Sequence, residues 1–308
     1  MQVSIIGNHI SVGFFIFLIG SFVIGVAATI LQVVLNLYLT VCRIGKTTAL
    51  QRQMIGGTSN SIGMAIAPLV ISYLIFHGTP LHDIVTKQFI IPLIILILIM
   101  LIITILVGKT QMPSIDNVRQ VPGEKFDKSV WSFRNLKLGV WGIFFYVGIE
   151  VAVGANVNMY ASELGGSFAS NATHMAALYW GLLLLGRFLG SFIKQVPSEK
   201  QLVIASIGAI VLLVLAMLTA NPWILTLIGF FHSIMWPAIF TLATDQLGKY
   251  TTKASGVLTM GVIGGGIIPL LQGIFADVMG GNWLWTWLLV IAGEAYILYY
   301  GLNGYKQH

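Results

Sequence analysis

Polar and ionisable side chains interrupt several long apolar segments of this sequence. Glu150 lies in the middle of the segment GVWGIFFYVGIEVAVGANVNMY, with Tyr146 one helical turn before it on the same face. A carboxylate at that depth suits either proton exchange or hydrogen bonding to a polyol. Pairing with a cation on another segment is the alternative, and Arg187 is the one candidate cation that does not lie at a segment end.

His232 and Trp236 are four residues apart in HSIMWPAIF, and Pro237 follows them. Proline removes a backbone donor and so predicts a kink at this point. An aromatic ring beside a kink in a polar stripe is a common way to hold a sugar, because the C–H faces of a sugar ring stack on indole. Three further tryptophans predict an aromatic belt at one membrane interface: Trp283, Trp285 and Trp287.

Three amides form a second group of candidates. Gln32 and Asn36 are four residues apart and therefore share a helix face. They either bond to a neighbouring helix or line a central cavity. Asn60 lies two turns into the next segment, where an apolar interface would leave its amide without partners.

Arg187, in LLLLGRFLGSF, either snorkels to the membrane surface or clamps helices together, which is a gating or structural role. In GVIGGGIIPLLQG, the residues Gly264, Gly265, Gly266 and Pro269 predict a broken or flexible helix of the kind that lines transporter sites. Glu294 is predicted to face a cavity or a neighbouring helix, without a chemical role.

The composition identifies the solvent of these segments. The chain has 308 residues, of which 57% are hydrophobic and 8% charged, and its mean hydropathy is +0.90. Soluble domains carry roughly 25% charged residues. The sequence lacks the alternation of a β-barrel, so we predict an all-α, polytopic transmembrane bundle. The net charge of +6 reflects cytoplasmic loops and not nucleic-acid binding.

Enzyme and metal-site motifs are missing from the sequence, including HExxH, GxSxG and a phosphate-binding GxxxxGK[ST]. His77, His82, Asp83 and Lys87 cluster in one loop but lack the convergent spacing of metal ligands. We therefore expect no enzyme activity, no cofactor and no metal.

We predict nine membrane spans, at about 12–41, 54–76, 88–108, 136–161, 173–193, 201–220, 223–247, 255–277 and 283–303. An external amino terminus places fifteen of the sixteen Lys and Arg residues inside, Arg52 among them, and leaves Lys87 outside. Because cytoplasmic loops collect Lys and Arg, this count favours an external amino terminus and a cytoplasmic carboxyl terminus.

The longest polar stretch, at 109–135, predicts an internal linker between two domains. Residues 1–108 would form a partial three-helix bundle, and residues 136–308 a complete six-helix bundle. Transporters are commonly built from two six-helix halves, each made of inverted three-helix repeats. We therefore expect a monomeric twelve-helix transporter. Its first three helices, on the order of 100 residues with their loops, would be absent from this sequence.

Six stretches together resemble one known family group. They are ILQVVLNLYLTV (30–41), TSNSIG (58–63), FFYVGIEVAVGANVNMY (144–160), LGRFLGSFI (185–193), HSIMWPAIFTLATDQLG (232–248) and MGVIGGGIIPLLQGIFAD (260–277). In order and helical position they are similar to the fucose permease and glucose/galactose transporter group of the major facilitator superfamily.

The resemblance implies a monosaccharide:proton symporter of the bacterial inner (plasma) membrane that works by alternating access, with the nine spans matching helices four to twelve. It also implies that Asn60 is a sugar-contacting amide, that Trp236 is the aromatic residue before a proline, and that Glu150 is a polar or acidic position. The chain departs from the group at Gln32, where fucose permease has a glutamate, and at Asn36-Leu37, where the group has Asn-Pro. Proton coupling therefore falls to Glu150 or to an upstream segment.

Two other classes of function remain open at this point, besides a truncated or inactive transporter. A non-transporting membrane sensor would bind sugar without uptake. A major-facilitator transporter of another small solute would need a greasier cavity for a drug, or a central cation for a carboxylate.

Overall fold

The computed structural model describes residues 12–42, 45–69, 90–110 and 127–307. Within these ranges the regular secondary structure is helical and contains no β-strand. The helices are α1 (Val12–Val41), α2 (Ala49–Leu69), α3 (Ile90–Lys109), α4 (Arg134–Leu164), α5 (Gly166–Ser170), α6 (Ala172–Gly190), α7 (Ser198–Thr219), α8 (Pro222–His232), α9 (Met235–Thr244), α10 (Thr251–Thr259), α11 (Gly264–Val278) and α12 (Trp287–Tyr299), the last extended by a π-turn at Tyr300–Gly304.

Each of the nine predicted spans coincides with a helix or a broken pair of helices, which confirms the fold class. Of the described helices, six segments are long and apolar enough to cross a membrane. The other three spans fall short for visible reasons: α2 is rich in small polar residues, α6 carries Arg187, and α12 is only 13 residues long. The loop that contains His77, His82 and Asp83 lies outside the described residues.

Helix α2 begins five residues before its predicted start because Thr48 and Gln51 form a capping box. The Thr48 amide donates to Gln51 Oε1 at 3.1 Å, and the Gln51 amide donates to Thr48 Oγ1 at 3.2 Å. Two amides that the first helical turn leaves without partners are thereby satisfied.

Arg52 is buried inside α2, whereas we expected it in a polar loop. Its Nε donates to the Leu39 carbonyl at 2.7 Å, its Nη2 to the Thr40 carbonyl at 2.7 Å, and its Nη1 to the Thr47 carbonyl at 2.7 Å. The last carbonyls of a helix have no partners within the helix and carry partial negative charge. Arg52 therefore caps α1 and fixes the α1–α2 hairpin.

Two predicted spans are broken where the sequence indicates. Helix α8 ends at His232 and α9 begins at Met235, because Pro237 has no N–H to donate to the Ser233 carbonyl. Helices α10 and α11 are separated by a 3₁₀ turn at Met260–Ile263, directly before the glycine run. Both breaks confirm the interruptions expected from proline and glycine.

Helix α4 is the centre of the described bundle and packs against α6, α8, α9, α11 and α12. Its contact with α11 requires glycine: a Cβ added at Gly264 would overlap the carbonyl of Phe144, and one at Gly148 would overlap Ile268. By contrast, α3 has no buried residue, and the outward side chains of α1 are exposed apolar groups. Such surfaces are suited to contact with lipid.

The α1–α2 pair meets the remaining helices along α6, α9 and α10. Gln51 Nε2 donates to the main-chain oxygen of Ser191 at 2.9 Å, and Ser255 Oγ donates to that of Val33 at 3.2 Å. The Met54 side chain fills the space above Gly190. The domain limits predicted at 1–108, 109–135 and 136–308 remain a prediction, although α4 begins at Arg134, close to the expected boundary.

The predicted aromatic belt is wrong for one of its three members. Trp285 is 48% exposed, as a belt residue should be, and Trp283 is partly exposed. Trp287 is fully buried and packs edge-on against Tyr160, with ring centroids 5.9 Å apart. A tryptophan at the start of a helix is buried when it lies on the helix face that packs against the bundle. Sequence position alone does not reveal which face that is.

The glycine run offers a matched pair of substitutions. We expect Gly264→Ala to destabilise the protein by about 1–3 kcal/mol, because the new methyl group would overlap the Phe144 backbone, which cannot move without shifting α4. Gly266→Ala should be neutral or slightly stabilising, since nothing lies within 4 Å of a Cβ there. Thermal unfolding of the two purified variants in detergent measures the difference. Equal melting temperatures would contradict this account of the α4–α11 contact.

Candidate functional site

Glu150 is held by two partners in the middle of α4. Tyr146, one turn earlier, donates its hydroxyl to Glu150 Oε1 at 2.8 Å, and Arg187 Nη2 lies 3.3 Å from the same oxygen. The Glu150 and Arg187 side chains are 13% and 10% exposed, so the pair is largely withdrawn from solvent. A buried carboxylate is tolerated when a cation and hydrogen bonds offset its charge.

Arg187 joins three helices. Besides contacting Glu150 on α4, its Nη1 donates to Ser61 Oγ on α2 at 2.7 Å. Gly57 permits this approach, because a Cβ there would be 3.2 Å from Arg187 Cδ. The guanidinium is therefore buried and bridges helices rather than snorkelling. Of the two roles that the sequence left open, this contact is the clamp, and a role in gating stays a prediction.

His232 lies at the end of α8 and uses both ring nitrogens. Its Nδ1 is 2.6 Å from the Tyr179 hydroxyl, and its Nε2 is 2.6 Å from Glu294 Oε1. None of these three side chains is exposed. In this conformation His232 is buried and does not present a free nitrogen to a solute.

Trp236 is the partly exposed aromatic of this region. Its ring is 6.5 Å from that of Tyr146 and stacks at 6.2 Å on Phe240. Tyr146 in turn contacts His232 edge-on at 6.1 Å. The structure thus brings together five of the predicted site residues: Tyr146, Glu150, Arg187, His232 and Trp236.

The three amides lie on the α1–α2 side. Asn36 is buried, and its main-chain oxygen accepts from Gln53 Nε2 at 2.8 Å. Gln32 is half-buried one turn away. Asn60 is exposed and lies seven residues after Gln53, so it continues the α2 face that Gln53 turns towards α1. Asn60 also directly precedes Ser61, which Arg187 contacts. Sugar contact by Gln32, Asn36 and Asn60 remains a prediction.

The glycines of α11 divide by environment. Gly264 is buried against α4, and Gly265 lies near Val147, whereas Gly266 is exposed. Pro269 lies inside α11 without interrupting it. The first two glycines therefore serve helix packing, and flexibility at Gly266 and Pro269 stays a prediction.

Three contributors to the site were not predicted from sequence: Tyr179, Glu294 and Ser61. Tyr179 and Arg187 lie two turns apart on α6, so a tyrosine on the same side of an apolar helix as a buried arginine was the available signal. Nothing in the sequence paired Glu294 with His232, because 62 residues separate them. No group of His, Cys, Asp or Glu positioned to hold a metal occurs among the described residues.

A helical bundle with long apolar segments, two broken helices and a buried polar cluster defines a polytopic membrane protein of transporter type. The chain belongs to the Major Facilitator Superfamily, whose family model matches residues 3–269.

Curated relatives align with nearly the whole chain. A putative glucose/galactose transporter of Helicobacter pylori is 33% identical over 312 residues, which cover 96% of this chain and 75% of that protein. A glucose/galactose transporter of Brucella abortus is 34% identical over 301 residues, covering 95% and 72%. The L-fucose-proton symporter of Escherichia coli is 26% identical over 292 residues, covering 86% and 66%.

The fold matches that of a solved transporter. The crystal structure of the major facilitator transporter FucP in its outward conformation superposes with a TM-score of 0.80 at 23% sequence identity, covering 94% of this chain and 76% of that one. At this identity the match establishes the fold.

Proposed function

We propose that this chain transports a monosaccharide of the fucose, glucose or galactose type by proton-coupled symport. The main support is its identity of 33–34% with proteins named glucose/galactose transporters, over 95–96% of its length. The relative named an L-fucose-proton symporter supports the coupling ion. We further propose a monomer in the bacterial inner membrane, with its amino terminus outside and its carboxyl terminus in the cytoplasm.

The geometry is compatible with a sugar site between the two groups of helices. Trp236 offers a partly exposed aromatic face, and Asn60 offers an exposed amide on α2. Sugars are bound by such combinations, since C–H faces stack on aromatic rings and hydroxyls need amide or carboxylate partners. The cation of Arg187 is engaged by Glu150 and Ser61, which disfavours a carboxylate substrate.

Glu150 is our sequence-based candidate for the coupling proton. Its contact with Arg187 adds a condition to that proposal, because the carboxylate would have to exchange the guanidinium for a proton during the cycle. Such an exchange would also free Arg187 to leave Ser61. Glu150 would then couple the proton to the separation of α2 from α6.

Sugar binding can be tested by tryptophan fluorescence across a panel of monosaccharides. We expect fucose, glucose or galactose to quench the emission, and Trp236→Phe to remove most of the quench. Trp236→Leu should weaken the affinity, measured by equilibrium dialysis, about tenfold, because one stacked aromatic contributes about 0.5–1.5 kcal/mol beyond its buried area.

Trp285→Leu is the matched control, because Trp285 is exposed and is not part of the cluster around Glu150. It should leave the affinity unchanged. An equal loss in both variants would contradict a sugar site at Trp236. Uptake of labelled sugar into proteoliposomes under an imposed proton gradient completes the test: binding without uptake would favour a membrane sensor, and no response to any sugar would favour another solute.

A further inference from the structure

A chain of hydrogen bonds links α12, α8, α6 and α4 inside the bundle. Glu294 Oε1 lies 2.6 Å from His232 Nε2, and His232 Nδ1 lies 2.6 Å from the Tyr179 hydroxyl. The Tyr179 hydroxyl donates in turn to the main-chain oxygen of Glu150 at 3.1 Å. His232 and Glu294 have no exposed side-chain surface, so solvent supplies neither of them with a partner.

The number of protons on the pair depends on the direction in which Tyr179 donates. A tyrosine hydroxyl has one hydrogen, and Tyr179 gives it to the Glu150 carbonyl, so the bond to His232 needs its hydrogen on Nδ1. The 2.6 Å contact between Nε2 and Glu294 then needs a second hydrogen. In this arrangement the pair holds two hydrogens, either as imidazole with carboxylic acid or as imidazolium with carboxylate.

Loss of one proton reverses the chain. A neutral imidazole beside a carboxylate keeps its one hydrogen on Nε2, directed at Glu294, and Nδ1 becomes an acceptor. Tyr179 must then turn its hydrogen towards His232 and away from the Glu150 carbonyl. In this change one proton leaves the His232–Glu294 pair. The hydrogen bond that Tyr179 donates moves from the Glu150 carbonyl on α4 to His232 on α8.

We propose that His232 and Glu294 form a second, buried proton-binding site, and that Tyr179 transmits its occupancy to α4 at Glu150. Binding of the proton is independent of any substrate. Its use in coupling rests on the proposed symport.

The surroundings of the His232–Glu294 pair favour its protonated state. Glu294 Oε2 is buried without a hydrogen-bond partner among the described residues, a situation that is less costly for a carboxylic acid than for a carboxylate. His232 closes the last turn of α8, where the free carbonyls favour an added positive charge. Both forms of the protonated pair are thus supported.

Among the described residues, the other titratable groups connected to the pair lie on two helices. They are Tyr146 and Glu150 on α4, and Tyr179 and Arg187 on α6. Helix α7 carries ionisable residues only in its first turn, α9 carries none, and α11 has Asp277 near its far end. Any pH response of the pair therefore passes through α4 and α6.

The protonation state of the pair is linked, through Glu150, to a contact with α2. The Glu150 side chain binds Arg187, and Arg187 binds Ser61 on α2. Loss of the Tyr179 bond would release the α4 backbone at the residue that holds this clamp. The pair is thereby connected, through four side chains, to the contact between the α1–α2 pair and the remaining helices.

Infrared difference spectra of the purified full chain, from about pH 5 to about pH 9, test the proton site directly. We expect a buried carboxylic-acid band that titrates in the same step as a histidine signal, since strongly interacting groups titrate as a pair. Glu294→Gln should abolish that band, and exchanging the exposed His174 for Gln should leave it in place. A wild-type spectrum with no such step, or a band that survives in Glu294→Gln, would overturn the proposal.

The transmission by Tyr179 needs its own readout. The pH-dependent part of Trp236 emission, obtained by subtracting the Trp236→Phe protein, should fall at least fivefold in Tyr179→Phe while the carboxylic-acid band persists. Tyr300→Phe is the matched control and should keep the pH-dependent emission. Tyr300 is also buried and also donates to a main-chain oxygen, that of Asn135, at 3.0 Å. An unchanged emission profile in Tyr179→Phe would refute the relay.

Transport assays separate this proposal from the proposed function. Glu294→Gln should lose proton-driven sugar accumulation at least tenfold and retain sugar exchange between equal concentrations, which needs no net proton movement. Wild-type levels of accumulation in Glu294→Gln would overturn the coupling role. If the wild type neither exchanges nor accumulates any sugar, the proposed function fails, and the infrared titration still decides whether the pair binds a proton.

Discussion

Arg187→Ala is expected to lower the free energy of unfolding by about 3–5 kcal/mol and to abolish sugar accumulation. The substitution leaves the Glu150 carboxylate largely buried without its cation, and removal of one partner of a buried ion pair costs about this much. It also removes the hydrogen bond to Ser61 on α2. Thermal unfolding of the purified protein and uptake into proteoliposomes measure the two effects.

A double substitution distinguishes the ion pair from simple loss of packing. Arg187→Met with Glu150→Gln removes both charges and keeps similar volumes, so most of the stability should return. Sugar accumulation should not return, because both the candidate proton carrier and the clamp are missing. Equal stability in the single and double variants would show that the charge of Glu150 is not what Arg187 offsets.

Arg52→Ala is expected to be nearly as damaging to stability, by about 3 kcal/mol or more, although Arg52 is not one of the candidate sugar-binding residues. Three main-chain oxygens would lose a charged donor, and each such bond is worth about 1.5–3 kcal/mol. Arg52→Lys keeps the charge but cannot reach three carbonyls, so its melting temperature should be intermediate. A melting temperature for Arg52→Ala within a degree of the wild type would remove the capping role.

Much of the fold could be predicted because membrane solvation imposes strong rules. Segments such as Ile90–Lys109 are helical because lipid offers the backbone no other partner, and Pro237 breaks its helix because it lacks a donor. The same rules do not tell whether a given side chain points from its helix towards the interior of the bundle or towards the surface. Trp287 was therefore expected at the surface, and Arg52 in a loop, although both are buried.

Apart from the Glu150–Arg187 pair, which the sequence offered as one alternative, the contacts of the candidate site were predictable only within single helices. The spacing of four residues placed Tyr146 and Glu150 on one helix face, where the structure shows their hydrogen bond. The His232–Glu294 and Arg187–Ser61 bonds depend on how separate helices pack, which is decided by glycines such as Gly57 that admit a neighbour. The sequence alone gives the candidate residues but, beyond the Glu150–Arg187 alternative, not which of them pair between helices.

The junction near the start of α2 has a practical consequence for engineering. In two of its hydrogen bonds the acceptor is a main-chain oxygen, at Ser191 and Val33, which no substitution can delete. The strength of these two bonds can therefore be changed only from the donor side. Gln51→Glu would keep the bond to the Thr48 amide and delete the donor to Ser191, which makes it, with Ser255→Ala, the natural starting point for screening variants with an altered turnover rate.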